Sequence, residues 1–125
     1  MAIITANKDN FTEVIAGNDL LLVDFWAPWC GPCRQFGPIF EAASEKHTDF
    51  AFAKVNTEDE QELAGAMAIQ AIPTLMAFKG GTLVYAEAGA LPASGLDRLI
   101  EQIRSFDVAA AAAAQEASKN VSGAA

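Results

Sequence analysis

Leu20-Leu21-Leu22-Val23-Asp24-Phe25-Trp26 runs into Ala27-Pro28-Trp29 and then into Cys30-Gly31-Pro32-Cys33. A short, nearly continuous apolar run is the pattern of a strand covered on both faces, as in a parallel sheet. Its one charge, Asp24, stands out in such surroundings. Beyond the turn, Phe36, Ile39, Phe40 and Ala43 recur at helical spacing, which predicts a helix from Cys33 to about His47. Pro38 removes a backbone donor inside that helix and should bend its axis, and Gly37 costs about 1 kcal/mol relative to alanine. The order is strand, turn, helix, with two cysteines at the turn.

Working outward, Phe50 to about Asn56 reads as a second strand, and the helix between the two strands serves as a right-handed crossover. Thr57 to Met67 is acidic and then apolar, a loop entering a short helix. Ala71-Ile72-Pro73 breaks the pattern before a strand over Thr74 to Lys79, and Gly80-Gly81 joins that strand to Thr82–Ala88 as an antiparallel hairpin. Gly89 to Pro92 turns into an amphipathic helix carrying Leu96, Leu99, Ile100 and Ile103. Near the start, Ile3 to Thr5 is expected as an edge strand, and a helix over Asn10 to Ala16 is expected to be capped by Asp9. The class is α/β. Residues 1–107 read as one domain, and the alanine-rich stretch 108–125 reads as a frayed helix or as disorder, because alanine favours helix but offers little apolar surface for docking.

At 125 residues, 52% of them apolar, the chain is long enough to bury a core without staples. Its net charge of -8 repels phosphate backbones and anionic membrane surfaces, so neither nucleic acid nor membrane is expected as a partner. No run approaches the roughly 18 apolar residues of a membrane span, and Met1 to Asp9 lacks the charged-then-apolar form of a signal peptide. A cytoplasmic location is expected. The two cysteines share one four-residue window and cannot staple distant parts of the fold. With His47 the only histidine, the four ligands of a structural zinc site are not available, and no metal is expected.

The cysteines are therefore placed for chemistry. A thiol at the first turn of a helix lies near free backbone N–H groups and the positive end of the dipole, both of which favour thiolate. Cys30 is expected to be the nucleophile, and Cys33, further into the helix and more buried, the resolving thiol. Asp24, desolvated in its apolar strand, should have a raised pKa and could accept the Cys33 proton. Lys54, in the neighbouring strand, could partner Asp24 and oppose that shift. Trp29 is expected at the rim of the site and Trp26 in the core or as a wall behind it, while His47 reads as a surface residue at a helix C-terminus, remote from the chemistry.

Val23-Asp24-Phe25-Trp26-Ala27-Pro28-Trp29-Cys30-Gly31-Pro32-Cys33 closely resembles the active-site segment of the thioredoxin family. The likeness extends to Pro38, Lys54-Val55-Asn56, Ile72-Pro73-Thr74, Phe78-Lys79-Gly80-Gly81 and Gly89-Ala90, and so covers about residues 2 to 106. It implies a five-stranded mixed sheet flanked by four helices, and a cis Ile72-Pro73 bond beside the dithiol. It further implies an apolar substrate-binding rim of Trp29, Gly31, Pro32, Ile72, Pro73, Gly89 and Ala90. By the same likeness the chain is a monomeric general protein-disulfide reductase that cycles between a Cys30/Cys33 disulfide and the dithiol. Thioredoxin reductase would re-reduce it with NADPH and FAD, cofactors the partner holds and this chain does not bind. Gly31-Pro32 resembles the reducing members, not the oxidising ones. Arg34 stands where lysine is frequent in the family, Gly37 where alanine is frequent, and Met67 where an aromatic is frequent.

Overall fold

A computed structural model describes residues 3–115. In chain order it contains β1 (Ile4–Thr5), α1 (Phe11–Ala16), β2 (Leu20–Trp26), α2 (Gly31–Lys46), β3 (Ala51–Asn56), α3 (Gln61–Ala66), β4 (Thr74–Lys79), β5 (Thr82–Ala88) and α4 (Ala93–Ser105). Residues 108–115 add a short helix, α5. The five strands form one sheet in the order β1-β3-β2-β4-β5. β3 runs parallel to both β1 and β2, whereas β4 is antiparallel to β2 and to β5. This is the mixed α/β sheet that the sequence predicted, with β2 at its centre.

Alternation along β2 distributes its side chains between two helical layers. Leu21, Val23 and Phe25 join Phe11 and Val14 of α1 and Leu63 of α3 in one buried cluster. Leu22 points the other way, into a cluster with Phe36 and Phe40 of α2 and with Leu96, Leu99, Ile100 and Ile103 of α4. Both faces are covered, which is why the run is apolar without a period of two. Asp24 shares the parity of Leu22 and so faces α2.

The four expected helices are present, and α2 continues unbroken through Pro38. The capping of α1 differs from expectation. Asn10, not Asp9, is the cap residue, and the turn before it is closed by asparagine side chains: Asn7 Oδ1 accepts the N–H groups of Asp9 and Asn10, and Asn10 Oδ1 accepts that of Asn7. With those donors already satisfied, Asp9 is left exposed to water.

His47 also departs from its expected surface position. It is only 8% exposed, because α4 packs across the end of α2 and brings Asp97 to its Nε2 (2.9 Å) and Arg104 to its Nδ1 (3.2 Å). Arginine can only donate, so Nδ1 accepts and Nε2–H donates to Asp97.

Two side chains hold the last elements. Lys79 Nζ donates to the carbonyls of Ile103, Arg104 and Phe106, closing the end of α4 against β4. Asp107 then caps α5, its Oδ1 accepting the N–H of Ala110 at 2.9 Å. Of the stretch expected as frayed helix or disorder, 108–115 is helical and residues 116–125 lie outside the described residues.

Candidate active site

β2 delivers the chain to the site, and Pro28 and the Cys30 N–H bond to Ala27 O (3.2 Å) shape the turn that follows. Cys30 is the N-cap of α2: its backbone is extended, and its Sγ accepts the N–H of Cys33 at 3.2 Å. Pro32 fits in the first helical turn because its missing N–H would have had no helical partner there. Helix geometry brings residues three apart onto one face, and Cys30 and Cys33 are joined as a disulfide with Cα atoms 5.2 Å apart.

The expected contrast in burial between the sulfurs is small, with Cys30 5% and Cys33 3% exposed. They differ in their neighbours. Cys30 Sγ lies 3.8 Å from the carbonyl oxygen of Ile72. Cys33, one turn in, borders a cleft of about 250 Å³ lined also by Trp26, Arg34, Gly37, Pro38, Glu41 and Lys54. Both sulfurs pack with Ala27, Trp26 and Ile72, so Trp26 is a wall of the site.

Asp24 is fully buried, and neither carboxylate oxygen has a hydrogen-bond partner among the described residues. Burial pushes its pKa up to about 7, and the positive charge of Lys54 pulls against that shift. Lys54 stands directly opposite Asp24 in the β2–β3 register. Its ammonium lies 5.0 Å from the centroid of the Trp26 ring, a cation–π placement, and among the described residues it makes no ion pair with the carboxylate.

The Ile72-Pro73 peptide bond is cis, as the resemblance implied. The Pro73 carbonyl accepts the Gly89 N–H at 2.8 Å, which ties the Gly89-Ala90 turn to the proline segment. Gly89 has φ +110°, a conformation open to glycine. Around the disulfide, Trp29, Pro32, Gly89 and Ala90 are exposed, Gly31 and Ile72 half-buried, and Pro73 buried. Trp29, at 64%, is the most exposed large apolar side chain among the described residues.

Two contributors carried no local signal in the sequence. Glu58, in the loop after β3, accepts a hydrogen bond from Trp29 Nε1 across a separation of 29 residues. Arg34 Nη1 donates to Pro28 O at 3.2 Å and braces the turn from within the helix. Among the described residues no group of three or more His, Cys, Asp or Glu side chains is placed to hold a metal ion, and no helix is long and apolar enough to cross a membrane.

The arrangement therefore offers two sulfurs that can exchange between dithiol and disulfide, a titratable carboxylate below them and an apolar face beside them. Comparison with known proteins agrees with this chemistry. The family model described as Thioredoxin matches residues 2–102. A relative from Streptomyces coelicolor is 46% identical over 105 residues, which cover 84% of this chain and 78% of its own. The thioredoxin of Porphyra purpurea is 39% identical over 104 residues, covering 82% of this chain and 97% of that one. Among solved structures, a mutant thioredoxin from Halobacterium salinarum superposes with a TM-score of 0.77 at 31% identity, covering 86% of this chain and 98% of that one.

Proposed function

Because the chain belongs to the thioredoxin family and is a dithiol/disulfide oxidoreductase, we propose that it works as a general reductase of protein disulfides, with Cys30 as nucleophile and Cys33 as resolving thiol. The Cys30 thiolate attacks one sulfur of the target disulfide, and the other target sulfur leaves as a thiolate that takes up a proton. Cys33 then loses its proton and attacks Cys30 of the mixed disulfide. The second target thiol is released, and the Cys30–Cys33 disulfide forms. The target gains two electrons and two protons, and the dithiol loses them.

The observation that carries this reading is the placement of Cys30 at the N-cap of α2 with its sulfur 3.8 Å from Ile72 O. The helix N-terminus favours its thiolate, and the open carbonyl beside it suits a target lying extended along Ile72-Pro73. Trp29, Gly31, Pro32, Gly89 and Ala90 complete a contact surface with few charges, suited to many targets. Asp24 is the proton acceptor for Cys33, and Lys54 tunes it without pairing with it. Residues 1–107 carry this activity as the thioredoxin domain, with 108–125 as an appendage. Thioredoxin reductase, holding FAD and using NADPH, regenerates the dithiol in the cytoplasm, where this chain maintains redox balance as a monomer.

Insulin reduction with NADPH and a bacterial thioredoxin reductase tests the reading directly. The wild-type chain is expected to turn over, Cys30→Ser to be inactive, and Cys33→Ser to accumulate a mixed disulfide through Cys30. A Cys30→Ser variant that reduced insulin at the wild-type rate would refute the assignment.

A further inference from the structure

Three large apolar side chains stand in solvent among the described residues: Trp29, Leu83 and Phe106. Trp29 lies beside the disulfide. The other two meet in the seam between β5 and α5. This seam is at the opposite end of the sheet from the sulfurs: Lys79, in its wall, pairs with Leu20 at the start of β2, whereas Cys30 follows Trp26 at the end. The seven residues of β2 put about 20 Å between those ends.

α5 does not fill the seam. Of its residues only Val108 and Ala111 are half-buried, and the alanines that follow carry single methyl groups. Two crevices remain, one of about 600 Å³ beside Lys79 and Phe106 and one of about 240 Å³ along Thr82, Leu83 and Val84. Both are bordered by Thr82, Phe106, Val108 and Ala112, so they form one groove beside the helix. The larger has a volume usual for a binding cleft. From Val108 to Gln115 the groove follows about 10 Å of helix, a shape suited to a stretch of polypeptide.

Its charges select the occupant. The charged residues that line the groove are Asp19, Lys79 and Asp107. Lys79 gives its three protons to the carbonyls of Ile103, Arg104 and Phe106, and its charge is matched by the negative end of α4. Asp107 spends one carboxylate oxygen on the cap of α5, and Asp19 makes no ion pair among the described residues. Residues 108–114 add no charge at all. An apolar groove edged by two carboxylates is complementary to an apolar segment that carries a cation, and repels an acidic one.

We propose that this groove is a docking site for a segment of a partner protein that combines apolar side chains with a lysine or arginine, the basic group meeting Asp19 and Asp107. α5 lies beyond the residues that match the family model, so the site is an addition to the thioredoxin domain. A partner seated there leaves the dithiol free, and the chain can be tethered and reduce a target at the same time.

The test titrates the nitrogen-15-labelled full chain with a short amphipathic peptide of leucine and lysine, and with the same peptide carrying glutamate for lysine. The lysine peptide is expected to bind and to shift the amide signals of Gly80, Leu83, Phe106 and Ala112, leaving those of Trp29 and Ile72 in place. Asp19→Lys and Leu83→Thr, both at exposed positions, should each weaken binding about tenfold, while Asp9→Lys, which makes the same charge change away from the groove, should not. Insulin reduction at the wild-type rate is expected in all three, and either groove substitution decides alone. Absence of binding, shifts centred on Trp29 and Ile72, equal binding of the glutamate peptide or equal weakening by Asp9→Lys would overturn the proposal. Without peptide, groove signals that move with protein concentration would assign the groove to a second copy, and signals that respond to Val121→Asp would assign it to the chain's own C-terminus. Either outcome also overturns it.

Discussion

Asp24 and Lys54 stand directly opposite each other across β2 and β3, yet the lysine turns its ammonium toward the Trp26 ring and leaves the carboxylate without a hydrogen bond among the described residues. A closed ion pair would hold Asp24 ionised and useless as a proton acceptor near neutral pH. Held off in this way, the lysine lowers the carboxylate's pKa without abolishing the upward pull of burial, and the result is about 7.

That value has a consequence for stability. The ordinary carboxylate pKa of 3.8 is raised in the folded state to about 7, so the folded protein holds a proton that the unfolded chain has released. Stability contributed by this group is fully present below the unfolded value and is lost as pH rises through the folded one, by on the order of 4 kcal/mol in total. Urea unfolding of the oxidised protein at pH 5 and pH 8 should show a little over half of this fall, about 2.5 kcal/mol, because the rest lies below pH 5, and Asp24→Asn should remove most of it. The same substitution is expected to slow insulin reduction at pH 7 by about tenfold or more, within the range of general acid–base catalysis.

Lys54→Met removes the charge that lowers the Asp24 pKa. The carboxyl should then titrate above 7, measured by the carbon-13 shift of the Asp24 side chain, and the pH–rate profile of insulin reduction should move to higher pH. A downward movement would show that Lys54 acts through packing on Trp26 and not through its charge.

Trp29 is solvent-exposed and held by Glu58. Trp29→Ala is expected to lower kcat/KM for insulin by about tenfold, the scale of an aromatic anchor worth somewhat over 1 kcal/mol. Reduction of a small disulfide that does not reach the rim should change little. Glu58→Ala should show the same selectivity with a smaller effect, because the indole keeps its apolar contact and loses only its tether.

At the far end of α2, Arg104 donates to both oxygens of Asp49, contacts Glu101 and His47, and lies over the Phe50 ring. Its partners hold the Asp49 carboxyl below the ordinary range, chiefly through the Arg104 hydrogen bond. The cluster is partly open to solvent, so Arg104→Ala should cost only about 1 kcal/mol in urea unfolding. Arg104→Lys should recover part of it, since a single ammonium cannot reproduce the planar fork.

How much of this was legible along the chain follows from the range of each interaction. β2, β4 and β5 begin and end where the apolar runs and the Gly80-Gly81 pair predicted, because strand pattern and turn chemistry are local. The dithiol was readable for the same reason: helix geometry alone brings residues three apart together. The burial of Asp24 was also readable, since one charge in a continuous apolar run must be covered with its neighbours.

What the sequence by itself could not decide is every relation that needs the sheet to be assembled. It suggested that Lys54 could partner Asp24, but only the assembled sheet set it opposite Asp24 with its ammonium over the Trp26 ring. It placed His47 on the surface, because nothing near His47 in the chain announces that α4 will cover it with Asp97 and Arg104. Glu58 carries no local signal of its role, since only the fold brings the loop after β3 to Trp29. Backbone propensity and side-chain periodicity act over a few residues and are written along the chain, so they determined the elements and the two sulfurs. Charge pairing and burial depend on which distant surfaces meet, so the tertiary structure decided how the carboxylate beneath those sulfurs is tuned.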